Sequence, residues 1–354
     1  AVAETVAGAA AGPSVADAID PFVGRMPAGD RRLLGALLLG IEYGAPSALL
    51  RLRRFSDLDP ARREAWLRSW GGSALPLRRQ AAAALKALGA LAYYAREEAW
   101  DEVGYEGPWL GRIDVPVHAA PDLRAPPATG GQMAPGVTPS RDLPDGARVR
   151  ARVCVIGTGA GGGATLARLA EAGVDVVAVE AGGLFTAADA TQRELEMLPR
   201  LFQDAGLRAT ADKGIGILQG KGVGGSTLHN TGLVWDPPAG ILGRWRAGHA
   251  FPYDDAALAP LLAEVRATLG ANPIPEAGIN ANNGAMRRGA EALGWRYRVA
   301  DHNRDLCSGC GYCVLGCAYN RKKNAALTWV ARAVAAGARV IADAPAVRIE
   351  GRPG

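Results

Sequence analysis

The sequence is poor in lysine, in aromatic residues and in long apolar runs. Only five of its 40 basic residues are lysine, and no arginine cluster is interleaved with aromatic residues. The net charge of +5 therefore indicates no nucleic-acid partner. The longest apolar run, residues 33–41, contains two glycines and is too short to span a membrane. The first fourteen residues lack the basic and apolar regions of a signal peptide, so the compartment stays open between the cytoplasm and a membrane periphery.

Cysteine is also scarce, and its distribution is uneven. Four of the five cysteines lie within residues 307–317, which favours a metal site over a disulfide scaffold. The fifth, Cys154, lies in an apolar stretch that predicts a buried strand, and we expect it to be an inert thiol of the core.

The distribution of apolar residues, proline and glycine divides the chain into four parts. We predict a disordered tail over residues 1–15, a helical region over 16–103, a connector rich in proline and glycine over 104–147, and a nucleotide-binding domain over 148–354. Apolar residues at helical spacing predict packed helices in the second part, with a membrane-surface or partner-binding face as the alternative. Asp59-Pro60 is typical of a helix start, with a capping residue before proline.

A glycine motif follows the first apolar strand of the last part. Residues 153–163 read Val-Cys-Val-Ile-Gly-Thr-Gly-Ala-Gly-Gly-Gly, which predicts a buried strand, a turn and a helix. Gly157 allows the tight turn, Gly159 lets the backbone approach a pyrophosphate, and Gly162 lets the helix pack close to the strand. The N-terminus of a helix over 160–172 would point its free N–H groups at that pyrophosphate.

A second strand ends in an acidic residue. Glu180 follows Val176-Val177-Ala178-Val179, at the place where a carboxylate binds a ribose 2′-OH and repels a 2′-phosphate. We therefore predict an α/β fold with a parallel, Rossmann-like sheet that binds a dinucleotide other than NADP. A glycine-rich turn without a ligand is the alternative.

A second glycine motif occupies residues 219–230, Gln-Gly-Lys-Gly-Val-Gly-Gly-Ser-Thr-Leu-His-Asn. Gly224 and Gly225 allow close approach of the backbone, while Ser226 and Asn230 supply hydrogen-bond donors. A flavin that lies extended through the domain needs such a second stretch beside it. An NAD-dependent dehydrogenase has no standard need for one and stays the alternative.

The pairing of these two motifs resembles the glucose–methanol–choline (GMC) family of flavoprotein oxidoreductases, from about Arg148 to the end of the chain. The helical region, with Tyr93-Tyr94 and Gly104-Tyr105, resembles the extension of long-chain alcohol oxidase-like members. The resemblance implies a three-layer FAD-binding domain over residues 148–354 that includes the start of a substrate domain. It also implies oxidation of the CH–OH group of an alcohol, with hydride transfer to flavin N5.

Two further positions are implied by the resemblance. His229 stands where some members carry a covalent bond to the flavin 8α carbon, and a histidine hydrogen-bonded near the ring is the equal alternative. The backbone near Val347 would contact the adenine. The helical extension also favours a long-chain or hydrophobic alcohol, taken from a membrane surface.

Cys307, Cys310, Cys313 and Cys317 have the spacing of a ferredoxin iron–sulfur run. Structural thiols or disulfides, and a zinc site, stay open as alternatives. With a cluster, the protein would be a dehydrogenase that passes electrons to a cytochrome or quinone. Without one, oxygen could accept them. A non-catalytic iron–sulfur and nucleotide-binding electron carrier is the alternative outside enzymes.

The resemblance places the catalytic histidine near the family's C-terminus. Residues 347–350 look like one arm of an unfinished hairpin, so we expect the C-terminal part to be missing and this chain to be inactive alone. We therefore name no catalytic residue. His118, His249 and His302 are expected to be surface or satisfied histidines, and the basic run 321–323 a solvated turn.

Overall fold

The computed structural model forms two compact units. It describes residues 1–8, 12–44, 54–126, 133–212 and 214–351. The first unit comprises Ala1–Arg112 and Thr191–Gln219, and the second comprises Ile113–Ala190 and Gly220–Gly354.

The helices of the described residues are α1 Val2–Ala7, α2 Gly12–Arg25, α3 Ala28–Gly44, α4 Pro60–Gly71, α5 Pro76–Tyr94, α6 Ala160–Glu171, α7 Glu194–Leu201, α8 Ala239–His249, α9 Asp255–Leu269, α10 Ala281–Ala292 and α11 Ala331–Ala335. The strands are β1 Gly136–Pro139, β2 Val153–Ile156, β3 Val176–Val179, β4 Leu233–Val234, β5 Asn272–Pro273, β6 Asp301–His302 and β7 Arg339–Ala342. A π-helical turn, Ala326–Val330, leads directly into α11.

The first unit is helical, as predicted for most of its length. Asp59 caps α4 by accepting a hydrogen bond from the Arg62 N–H, with Pro60 at the first position, which confirms the predicted start. Phe55 and Ile41 are fully buried in a cluster that includes residues of α4 and α5. Among the described residues, we find no helix with the length and apolar character needed to cross a bilayer.

The N-terminus differs from the prediction of a disordered tail. Residues 2–7 are helical, and Val15 of α2 is only 1% exposed. The cause is a close fit between helices: a β-carbon on Gly89 of α5 would lie 2.4 Å from a methyl carbon of Val6. The disorder prediction is therefore wrong for the described part of residues 1–15. Its composition is rich in alanine and glycine, but valines in this stretch pack into the helical unit.

The second unit contains the parallel sheet, in the order β1-β7-β3-β2. Its core joins the sheet to α6 and to the π turn and α11, with Leu166, Trp329 and Val330 buried between them. The predicted α/β class with a parallel sheet is confirmed. The register pairs Val153 with Val176, so the two predicted strands are direct neighbours.

Two sequence predictions about this sheet are wrong. β2 is an edge strand, and its Cys154 is exposed rather than buried in a core, because only Val155 of this strand points fully into the protein. The predicted connector also contributes a strand, β1, which pairs with β7 at the other edge. Pro139 is tolerated there because it ends an edge strand, where its missing N–H costs little.

The unit also contains a small antiparallel sheet, in the order β4-β6-β5. An isolated bridge between Arg304 and Lys322 connects the residues after β6 to the end of the cysteine segment. Residues 346–349 form no strand in the structure.

Candidate cofactor site

The first glycine loop, residues 157–159, connects β2 to α6. Gly157 has a φ of 88°, in the left-handed region that glycine adopts without strain, and Gly159 is the N-cap of α6. A β-carbon on Gly162 would lie 2.0 Å from the Gly157 carbonyl oxygen. The predicted turn and close helix packing are therefore both present, and the free N–H groups of α6 begin at this loop.

Glu180 follows β3 and is 6% exposed. Its Oε2 accepts hydrogen bonds from the Thr158 N–H at 2.9 Å and the Thr158 hydroxyl at 2.8 Å. Its Oε1 accepts from the N–H groups of Gly182 at 3.1 Å and Gly222 at 3.3 Å. The carboxylate therefore receives four donors from the chain itself, and its contact with a ribose stays a prediction.

The second glycine loop, residues 220–230, lies directly against the first. The Gly224 N–H donates to the Thr158 hydroxyl at 3.1 Å. A β-carbon on Gly225 would lie 2.7 Å from the Cα of Gly159. The close approach predicted at Gly225 is thus, in the structure, an approach between the two glycine loops.

The polar residues of the second loop have different positions. The Ser226 hydroxyl accepts from the Gly220 N–H at 2.8 Å and so shapes the loop itself. Asn230 is exposed. His229 is buried, and this burial, followed by the positive charge of Lys322, lowers its pKa below the usual value. The imidazole is therefore mainly neutral at pH 7, the form that is nucleophilic.

Lys322 is fully buried, contrary to the prediction of a solvated basic turn. Its ammonium donates to the carbonyl oxygens of Leu228 at 3.0 Å, Asn230 at 2.6 Å and Cys313 at 2.8 Å. Burial lowers the pKa of Lys322 to about 8. The residue connects the second glycine loop to the cysteine segment, and the prediction failed because carbonyl acceptors leave no pattern in the sequence.

The four clustered cysteines line one cavity of about 670 Å³, together with Arg304 and Lys322. All four are free thiols, and burial raises the pKa of Cys310. Arg304 donates to the Cys313 sulfur at 3.9 Å. Within the part of the chain that the structure describes, no group of three or more His, Cys, Asp or Glu side chains is arranged to hold a metal ion. Cysteine thiolates are the donors that an iron–sulfur cluster uses, and the cluster at these four cysteines stays a prediction.

The remaining predicted positions lie outside these loops. Val347 is 93% exposed, and its contact with an adenine stays a prediction. His302 is buried; its Nε2 lies 2.8 Å from Asn272 Oδ1, and its Nδ1 accepts from Arg304 at 2.8 Å. These contacts fix the neutral tautomer with the proton on Nε2. His302 is thus a satisfied histidine, as expected.

Sequence reasoning missed Thr158 and Lys322. Thr158 lies inside the first motif, between Gly157 and Gly159, and this position was the one signal for it in the sequence. The glycines of the first motif leave open space at the N-terminus of α6, where a β-carbon added at Gly157 or Gly161 would meet nothing within 4 Å. This space fits the pyrophosphate of a dinucleotide such as FAD.

Comparison with known proteins gives a family match that includes the second glycine loop. The family model of the GMC oxidoreductases matches residues 198–354. An uncharacterized GMC-type oxidoreductase of Mycobacterium tuberculosis is 33% identical over 208 residues, which cover 58% of this chain and 33% of that protein.

Two plant proteins are similar over comparable or longer stretches. The long-chain-alcohol oxidase FAO4B of Arabidopsis thaliana is 31% identical over 217 residues, or 60% of this chain and 29% of that protein. The long-chain-alcohol oxidase FAO4A of the same plant is 25% identical over 317 residues, or 78% of this chain and 43% of that protein. The chain thus spans less than half the length of these relatives, and its residues 198–354 match the N-terminal model of the GMC oxidoreductase family.

Proposed function

We propose that this chain is the FAD-binding part of an oxidoreductase that oxidises the CH–OH group of an alcohol. The observation that carries the proposal is the contact between the two glycine loops at the N-terminus of α6. An NAD-dependent dehydrogenase needs only the first loop, whereas an extended flavin needs backbone from both. The family match over residues 198–354 includes the second loop.

Bound FAD would supply the hydride acceptor, N5 of the flavin. The residues of this chain would bind and orient it. The N–H groups that begin α6 face the pyrophosphate, and the backbone at Gly224 and Gly225 forms the adjoining wall. His229 is kept neutral by burial, which supports its proposed covalent bond to the flavin, with a hydrogen bond to the ring as the alternative. The base that removes the hydroxyl proton is not assigned to any residue of this chain.

The proposed substrate is a long-chain alcohol, since several similar proteins are named long-chain-alcohol oxidases. Oxygen is the proposed electron acceptor for the same reason. If Cys307, Cys310, Cys313 and Cys317 hold an iron–sulfur cluster, a cytochrome or quinone is the proposed acceptor instead. Contact with a membrane surface stays a prediction tied to this substrate class.

An anaerobic visible spectrum of the full-length protein, before and after addition of alcohols of increasing chain length, tests the proposal. We expect a flavin band that bleaches with long-chain alcohols and leaves no broad absorbance beneath it. A broad background that persists would assign a cluster to the cysteines and favour the dehydrogenase. A folded, colourless protein would instead favour the NAD-dependent enzyme, and a flavin that no alcohol reduces would favour the electron carrier.

The bond to His229 has its own test. After denaturation in acid, a covalent flavin stays with the precipitated protein, whereas a hydrogen-bonded flavin is released. His229→Ala should release all of the flavin, and release from the wild-type protein would exclude the bond.

A further inference from the structure

Thr158 lies at the crossing of the two glycine loops and is fully buried. Its hydroxyl makes two hydrogen bonds in opposite senses. It donates to Glu180 Oε2 at 2.8 Å and accepts from the Gly224 N–H at 3.1 Å. The hydroxyl oxygen therefore connects the carboxylate of Glu180, the residue after β3, with the second glycine loop.

Glu180 adds a parallel connection through its other oxygen. Oε1 accepts from the Gly222 N–H at 3.3 Å, while Oε2 accepts from the Thr158 N–H at 2.9 Å. The carboxylate thus holds both loops by their backbones. Charge-assisted hydrogen bonds of this kind are stronger than neutral ones, and the buried carboxylate depends on them.

The glycines around this network let the backbones of neighbouring segments approach more closely than any other residue would allow. A β-carbon on Gly182 would lie 2.4 Å from the Gly222 nitrogen, and one on Gly225 would lie 2.7 Å from the Gly159 Cα. The loops are therefore in direct backbone contact. A buried N–H that lost its acceptor here would stay unpaired, at a cost comparable to a full hydrogen bond.

We propose that Thr158 is a positioning residue which, with Glu180, closes the two glycine loops into one preformed FAD site. This inference rests on the proposed function, because it takes FAD as the ligand that spans both loops. A site that is already closed spends less of the binding free energy on ordering its loops, so its ligand binds more tightly. Thr158 needs no contact with FAD for this effect.

The test uses full-length protein produced without flavin in a riboflavin-depleted host. Thr158→Val keeps the shape of the side chain and removes the hydroxyl, whereas Thr158→Ser keeps the hydroxyl. Thr328→Val is the matched control, since it also removes a buried threonine hydroxyl of the same unit, but one that bonds only the Asn324 carbonyl four residues before it. The readouts are the FAD Kd and hydrogen exchange of the 220–228 segment in the flavin-free protein.

We expect Thr158→Val to raise the FAD Kd about 10- to 100-fold, because it removes both hydrogen bonds of the hydroxyl and leaves the buried Gly224 N–H unpaired. Exchange of the 220–228 amides should become at least about tenfold faster in the flavin-free protein. Thr158→Ser and Thr328→Val should keep both values within about threefold of wild type.

An unchanged Kd and unchanged exchange in Thr158→Val would overturn the inference while leaving the proposed function intact. Failure of the wild-type protein to bind FAD would instead overturn the proposed function. If Thr158→Val does not fold, the wild-type protein still decides: amides 220–228 that exchange without protection in the flavin-free state would show that no preformed site exists.

Discussion

The second unit contains two buried charges, and it stabilises them in opposite ways. Glu180 is an anion that receives four hydrogen bonds from N–H and O–H groups. Lys322 is a cation that gives three to carbonyl oxygens. Among the described residues, neither forms an ion pair. Each joins segments far apart in the sequence, so a buried charge can act as a structural connector when uncharged groups of the chain supply all of its hydrogen bonds.

The stability of the protein should depend more on the charge of Glu180 than on the charge of Lys322. A backbone N–H has a single hydrogen to donate, and a buried N–H without an acceptor is rare. A carbonyl oxygen has two lone pairs and tolerates incomplete pairing somewhat better. We therefore expect the loss of the anion to cost more than the loss of the cation, and four measurements rank these effects.

Replacing Glu180 by Leu should have the largest effect. It leaves the N–H groups of Thr158, Gly182 and Gly222 without their acceptor, and we expect the free energy of unfolding to fall by about 3 kcal/mol or more. Urea unfolding of the flavin-free protein measures it, with the exposed Glu98→Leu as a control that should stay within about 0.5 kcal/mol. Similar losses in both variants would mean that the network is not stabilising.

Lys322→Met should come second, with a loss of about 2 kcal/mol, because three carbonyl groups lose a donor and carbonyl oxygens tolerate incomplete pairing better than N–H groups do. Lys323→Met changes the neighbouring residue, whose ammonium lies 3.9 Å from Asp305, and should change stability by less than about 0.5 kcal/mol. A loss from Lys322→Met that exceeds the loss from Glu180→Leu would reverse the proposed ranking.

Within α6, two alanine substitutions separate the effect of tight packing from the effect of helix propensity. Gly162→Ala places a methyl group 2.0 Å from the Gly157 carbonyl oxygen and should lower the free energy of unfolding by about 1–3 kcal/mol. Gly161→Ala meets nothing within 4 Å and should raise it by about 0.5 kcal/mol through helix propensity. Thermal unfolding of both variants is the measurement, and equal shifts would contradict the close contact.

The exposed pair of Glu171 and Arg332 should give the smallest effect. Arg332 donates to both carboxylate oxygens, at 2.8 and 3.0 Å, and this hydrogen bonding lowers the pKa of Glu171. A carboxyl whose pKa is lowered by folding stabilises the protein above its unfolded pKa, and this contribution is lost as the pH falls through the folded value. Arg332→Gln should therefore reduce the stability difference between pH 6 and pH 3 by less than about 1 kcal/mol. An unchanged pH profile would show that solvent already screens the pair.

What the sequence predicted well was local. The turn at Gly157, the helix that follows it and the cap at Asp59 depend on neighbours a few residues away. The exposure of Cys154 was missed because it depends on which strand ends the sheet, and the burial of Lys322 was missed because its acceptors come from two segments far from each other in the sequence. Glu180 was singled out for a ribose, and the hydroxyl beside it was overlooked, since only the folded loops bring the two together.

The sheet order also has a consequence for synthesis on the ribosome. β1 is bridged on one side by Arg124, close to it in the sequence, and on the other side it pairs with the distant β7, where Gly136 lies opposite Arg339. β2 and β3 can pair soon after they emerge, but β1 has to wait with an unpaired edge until nearly the whole of the described chain has been made. A pause in translation before β7 would therefore prolong the time in which this edge is open to other chains, and a chaperone that covers residues 136–139 would be most useful in that interval.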